Sequence, residues 1–231
     1  MDIIENLLTD KSRPLWELLN KDGRIKITIW DEKYSEVFTQ TKFDPIELRL
    51  NGLDQNSFLH ELCHIYINEV FGGYYWLLKT HLPVSLARFI SRECFMHVGN
   101  CIEHSMFYNL YLDLGGSAIG FISDYNLKKG NGFHLTMRRL DKNSIDPYLG
   151  NLFSILADNN TNNNYSAELV SYRQLSPLIF DACNLLIHKA KVIGISQKTS
   201  DFELNLDDAE VIKERHSNNS YEFWKVVKNN V

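Results

Sequence analysis

The spacing of hydrophobic and polar residues changes several times along this chain, and each change predicts an element. Residues 2–8 and 13–20 read as short helices, the second with Pro14 in its first turn and Trp16, Leu18 and Leu19 as its apolar residues. From Arg24 the period drops to two. Ile25, Ile27 and Ile29 alternate with Lys26, Thr28 and Trp30, which predicts a strand. Tyr34 to Thr41 reads as a second strand, and Ile46, Leu48 and Leu50, set against Glu47, Arg49 and Asn51, as a third. Asn51-Gly52 then turns the chain, and Asp54, Asn56 and Ser57 are candidate N-caps for a helix that stops near Gly72-Gly73. Phe58, Leu59, Leu62, Cys63, Ile65 and Tyr66 make that helix apolar nearly all round, so it belongs in a domain interior.

Beyond it, the aromatic cluster Tyr74-Tyr75-Trp76 suits a core or the wall of a cleft. Pro83 opens a long helical run, about Leu86 to Leu114, closed by Gly115-Gly116 and suited to pack on the first helix. Residues 117–150 are mixed, with a turn at Lys128 to Gly132 and a candidate strand over Phe133 to Met137. Asp158 to Asn164 is a polar loop too poor in apolar residues to pack. It divides a domain over 1–157 from a helical part over 158–231, which either extends that domain or completes it. Helices are expected near Ala167 to Ile193 and from Asp207 onward, the latter with a break near Ser217 to Ser220. The expected class is α+β, a small N-terminal sheet packed on two central helices and followed by a mostly helical C-terminal part.

Composition narrows the function classes. At 44% hydrophobic and 23% charged, the 231 residues have the balance of an ordinary globular protein. The net charge of −5, with no run of Lys or Arg, gives no footprint for nucleic acid. No stretch approaches the roughly 18 apolar residues of a membrane span, and Met1-Asp2-Ile3-Ile4-Glu5 is unlike a signal peptide. Cys63, Cys94, Cys101 and Cys183 form no C-x-x-C pair, so reduced core thiols and a cytoplasmic location are expected.

The chemistry concentrates in His60-Glu61-Leu62-Cys63-His64. Helical positions four apart lie one above the other, so His60 and His64 can aim ring nitrogens at one point, while Glu61 stands about 100° round the helix beside that point. A hydrolytic zinc site needs two imidazoles on the metal, an open position for water, and a carboxylate to take the water's proton. Three polar groups in an apolar helix are also costly to desolvate without partners, and a metal is one such partner. The competing reading is a pair of histidines and a glutamate that face water or hydrogen-bond in the core.

This uncharged frame around His-Glu-x-x-His resembles the zincin superfamily of zinc metallopeptidases. In its gluzincin branch the third ligand is a Glu on a later helix, and the best match here is Asn100-Cys101-Ile102-Glu103-His104. The resemblance therefore implies one Zn²⁺ on His60, His64 and Glu103 with Glu61 as general base. It covers residues 24–115 and is nearest to minimal gluzincins, although Phe107 stands where many gluzincins have an Asp and no third His follows the motif. Glu103 shares a helical row with Phe89, Met96, Asn100 and Phe107, where a carboxylate needs a strong partner. His104 is the alternative ligand, and His97 and Asn100 are candidates for an outer role, with Asp113 a further option. The oxyanion donor is left open among His134, Tyr108, Tyr125 and Tyr148. The expected activity is zinc-dependent cleavage of a peptide bond in a protein or peptide substrate. A zinc hydrolase of small amides or esters, and a non-catalytic metal-containing interaction module, remain alternatives.

Overall fold

The computed structural model describes residues 3–30, 38–40, 45–130, 132, 135–196 and 206–231. After a 3₁₀ turn (Ile3–Asn6) come α1 (Arg13–Leu19), β1 (Ile25–Trp30), β2 (Phe38–Gln40) and β3 (Ile46–Asn51). Helices follow: α2 (Gln55–Phe71), α3 (Tyr74–His81), α4 (Val84–Ala87), α5 (Arg92–Asp113), α6 (Ile145–Leu156), α7 (Ser166–Leu175), α8 (Pro177–Ser196) and α9 (Leu206–Asn230). The class is α+β with a helical C-terminal part, as the spacing predicts.

The sheet has the order β1-β3-β2, with β1 parallel and β2 antiparallel to β3. Ile25 pairs with Ile46, Ile27 with Leu48 and Ile29 with Leu50. Ile46, Leu48 and Leu50 are buried, so the period of two read from the sequence is the period of the face turned to the core. The middle strand then feeds α2 through Gly52, at φ 76°, where only glycine is unstrained. Asp54 caps α2 by accepting from the N–H groups of Asn56 (3.3 Å) and Ser57 (2.9 Å), and Gly72 ends the helix in the left-handed conformation.

Four expectations change. The run predicted over Leu86 to Leu114 is two helices, because Ser91 adopts an extended conformation and its Oγ accepts from the Cys94 N–H at 3.1 Å, starting α5 afresh. The stretch near Ala167 to Ile193 is also two helices, since Ser176, the residue before Pro177, is forced out of the helical region. Helix α9, by contrast, is continuous through Ser217 to Ser220. Ser220 Oγ donates to the Leu77 carbonyl (3.0 Å), Ser217 Oγ meets His81 Nε2 (3.1 Å) and Lys189 donates to Asn219 (2.6 Å), so these side chains do not compete for their own backbone. Residues 135–137 are not a strand; Phe133 and His134 lie outside the described residues.

The Asp158 to Asn164 segment is tied down. Asp158 accepts from the Asn160 N–H (3.0 Å) and Asn163 Nδ2 (2.8 Å), and Asn160 Nδ2 donates to the Tyr125 carbonyl (3.1 Å). Helices α8 and α9 pack on α5 and α3 respectively. Trp224 of α9 is buried, donates from Nε1 to the Leu78 carbonyl at 2.8 Å and packs against Phe95 of α5. One hydrophobic core therefore runs from Leu7 to Val227 and encloses both α2 and α5.

Candidate metal centre

Helices α2 and α5 bring three imidazoles together. Nε2 of His60 lies 3.1 Å from Nε2 of His64 and 2.9 Å from Nε2 of His104. The potential ligand atoms of these three residues all lie within 4.8 Å of one another.

The outer nitrogens of the two α2 rings are spoken for. His60 Nδ1–H donates to the Phe121 carbonyl at 2.6 Å, and its ring stacks on the Phe121 ring at 5.1 Å and 15°. His64 Nδ1–H donates to Glu103 Oε2 at 2.8 Å, and Glu103 Oε1 accepts the Tyr74 N–H at 3.2 Å. With Nδ1 protonated, the neutral form of each ring presents a lone pair on Nε2. The one lone pair of His60 Nε2 can accept only one proton, yet two nitrogens approach it. A cation between the rings satisfies all three. Tetrahedral Zn–N bonds of about 2.0–2.1 Å separate ligand nitrogens by about 3.3 Å, close to the two spacings that His60 makes. The donor set thus fits a divalent metal with a taste for nitrogen.

The electrostatics agree. Burial, then the neighbouring His64, pulls the pKa of His60 down to about 3, with the Phe121 carbonyl opposing. Burial and the other histidines likewise hold His104 well below its usual value. Both are therefore neutral ligands near pH 7. Burial works against charge on His64 as well, but the Glu103 hydrogen bond and the charges of Glu61 and Glu103 outweigh it and raise its pKa.

The resemblance pointed to Glu103 as the third ligand, and the geometry puts it elsewhere. Its carboxylate sits on Nδ1 of His64, the ring nitrogen away from the cluster, while His104 supplies the third convergent donor. The apolar row does give the carboxylate strong partners, but they are two N–H groups. Both residues line the cleft, but Glu103, 6 % exposed, spends its carboxylate on His64 and the Tyr74 N–H, while His104, one residue on and about 100° round α5, meets His60. Glu61, also buried, borders the same cleft beside His60.

The other candidates separate. His97 is exposed on the cleft wall and points Nε2 at Ser154 Oγ (2.8 Å) and the Gly150 carbonyl (3.1 Å). Asn100 also lines the cleft, whereas Asp113 lies exposed at the end of α5 and does not line it. Tyr148 is in the core, its hydroxyl donating to the Tyr172 carbonyl at 3.1 Å. Tyr108 packs edge-on against Phe121, and its hydroxyl is 3.5 Å from that of Tyr125. His134 lies outside the described residues.

Two supports escaped sequence reasoning. One is the Phe121 carbonyl, since a backbone acceptor has no residue-type signature. The other is Asn56, whose Oδ1 accepts from the Ser117 N–H (3.0 Å) and the Tyr111 hydroxyl (2.9 Å) and so pins the segment leading to Phe121. Gly120 is part of this clamp, because a Cβ there would fall 2.5 Å from Asn56 Cγ.

No protein-family model, curated protein or solved structure matches this chain.

Among the described residues, no helix is long and apolar enough to cross a membrane, and all four cysteines are buried free thiols.

Proposed function

We propose that the protein is a zinc-dependent hydrolase that cleaves peptide bonds, with His60, His64 and His104 holding the metal and Glu61 acting as general base. The observation that carries this reading is the convergence of three ring nitrogens in a cleft that Glu61, the residue after His60 on α2, also lines. A structural site has no use for that acid. Three imidazole donors suit zinc, and being neutral they leave the ion its full double charge. When bound, the metal supplies Lewis acidity toward a water and a carbonyl.

The chain's own residues do the rest. Glu61 takes a proton from the attacking water and returns it to the leaving amine, a role worth about 10²–10⁴ in rate. The Phe121 carbonyl and Glu103 hold His60 and His64 in the one tautomer that faces the metal. The cleft is open to solvent and has a volume of about 1300 Å³, which leaves room for an extended substrate.

Metal analysis of purified protein, paired with cleavage of a peptide mixture, tests the proposal. About one zinc per chain is expected in both wild type and Glu61→Gln, with hydrolysis reduced by about 10³ in the variant. Equal cleavage by the two proteins removes Glu61 as the base, and a protein that binds no zinc removes the centre altogether.

A further inference from the structure

The cleft beside the histidines is lined by α5 from Arg92 to His104. Arg92, Met96, His97 and Asn100 are exposed on that helix and, with His104, line the cleft. Their spacing puts them along one side of α5, and the twelve positions from Arg92 to His104 span about 18 Å at 1.5 Å per residue. Tyr75 and Trp76 of α3 form part of the wall. Gly99 lets that wall close in, since a Cβ at this position would lie 3.0 Å from Tyr75 Cβ.

Five carboxylates line the cleft, Asp54, Glu61, Glu103, Asp124 and Asp158, against two cations, Lys129 and Arg92. Lys129 is held by Asp124 at 2.7 Å. Arg92, at the far end from the histidines, is exposed and has no hydrogen bond, ion pair or ring contact among the described residues. A polyanion such as a nucleic acid would meet repulsion along most of this groove. A largely neutral chain whose one anionic group sits at Arg92 avoids that repulsion.

We infer that the cleft binds an extended peptide with an acidic side chain about five residues from the bond to be cut, held by Arg92. The inference rests on the peptidase reading and deepens it. An extended chain rises about 3.3 Å per residue, so about five residues cover 18 Å. The guanidinium fork matches a carboxylate bidentately, which gives one arginine enough directionality to set a preference. Met96, half exposed, and Trp76 offer apolar cover to the intervening stretch.

Binding separates this inference from the chemistry. The probes are fluorescein-labelled decapeptides of alanine and leucine carrying one Asp or one Lys, and the readout is anisotropy with zinc-loaded Glu61→Gln protein. The Asp peptides are expected to bind about tenfold tighter, a ratio that Arg92→Glu inverts. In parallel, cleavage sites in a peptide mixture are mapped by mass spectrometry with wild type and Arg92→Glu. Asp and Glu should be enriched about five positions to one side of the cut, and Lys and Arg should replace them in the variant. Equal binding of the two probes, a preference that survives Arg92→Glu, or tighter binding of a single-stranded oligonucleotide overturns the assignment. Cleavage without acidic preference sinks the recognition and leaves the peptidase standing; Arg92-dependent binding with no cleavage does the reverse.

Discussion

The histidines of the candidate centre and His216 of α9 are built in opposite ways. His60 and His64 each have an outer N–H donated to an oxygen acceptor, and their inner nitrogens converge with that of His104. His216 of α9 is buried more deeply, with 1 % of its surface exposed, and neither ring nitrogen has a hydrogen-bond partner. Its neighbours are ring edges, Tyr74 at 4.9 Å and Phe71 at 6.3 Å. Burial alone therefore does not mark a ligand. An outer partner that fixes which nitrogen carries the proton sets His60 and His64 apart from His216.

Tyr74 links the two regions, giving its N–H to Glu103 and its ring to His216. The contrast is sharpest if changes on one side leave the other untouched. His104→Ala should have the largest effect, lowering zinc affinity by more than the roughly 100-fold upper range for loss of an outer partner, as read by competition with a chromophoric chelator. Glu103→Gln should come next, with a loss of about 10–100-fold, because His64 loses a charged acceptor but keeps its place on α2. If Glu103→Gln costs as much as His104→Ala, the carboxylate is a ligand after all.

His216→Leu should do the opposite. Replacing two unsatisfied buried nitrogens with an apolar group of similar size should raise stability by about 1–2 kcal/mol in urea unfolding, with zinc affinity unchanged. The same variant carries a pH signature. Burial, then Lys189, pulls the pKa of His216 down to about 4 from its ordinary 6.5. The unfolded chain thus binds this proton more readily than the fold does, and stability is lost as pH falls from about 6.5 toward 4. The smallest expected effect is a shallower acid limb in His216→Leu than in wild type over that window. The difference between the two proteins isolates this residue from His60 and His104, whose lowered pKa values act in the same direction. Parallel acid limbs would mean that His216 is protonated or solvated in the fold.

Legibility followed the range of the interactions. The alternation of Ile46, Leu48 and Leu50, the Asp54 cap and the Gly72 stop depend on neighbours within a few residues, and each is found where the spacing puts it. The break before α5 adds a partner far along the chain to its local Ser91 cap, and the continuity of α9 depends on distant partners. Ser91 N–H meets Asp146, and Ser220 meets Leu77. Composition was equally blind at Asp158 to Asn164, where mutual hydrogen bonds order a segment that has almost no apolar residue to bury.

By itself the sequence determined that His60 and His64 face one point, because their separation of four residues is a property of any α-helix. It also determined that the helix bearing them is buried, through residues apolar on nearly every side. Only the tertiary structure shows which of Glu103 and His104 converges with His60 and His64. The two are adjacent on a helix whose surroundings are apolar almost all round, so the residue that meets His60 depends on how α5 is rotated about its axis. That rotation is set by the close approach of α3 at Gly99 and the packing of α8, contacts that no local pattern encodes.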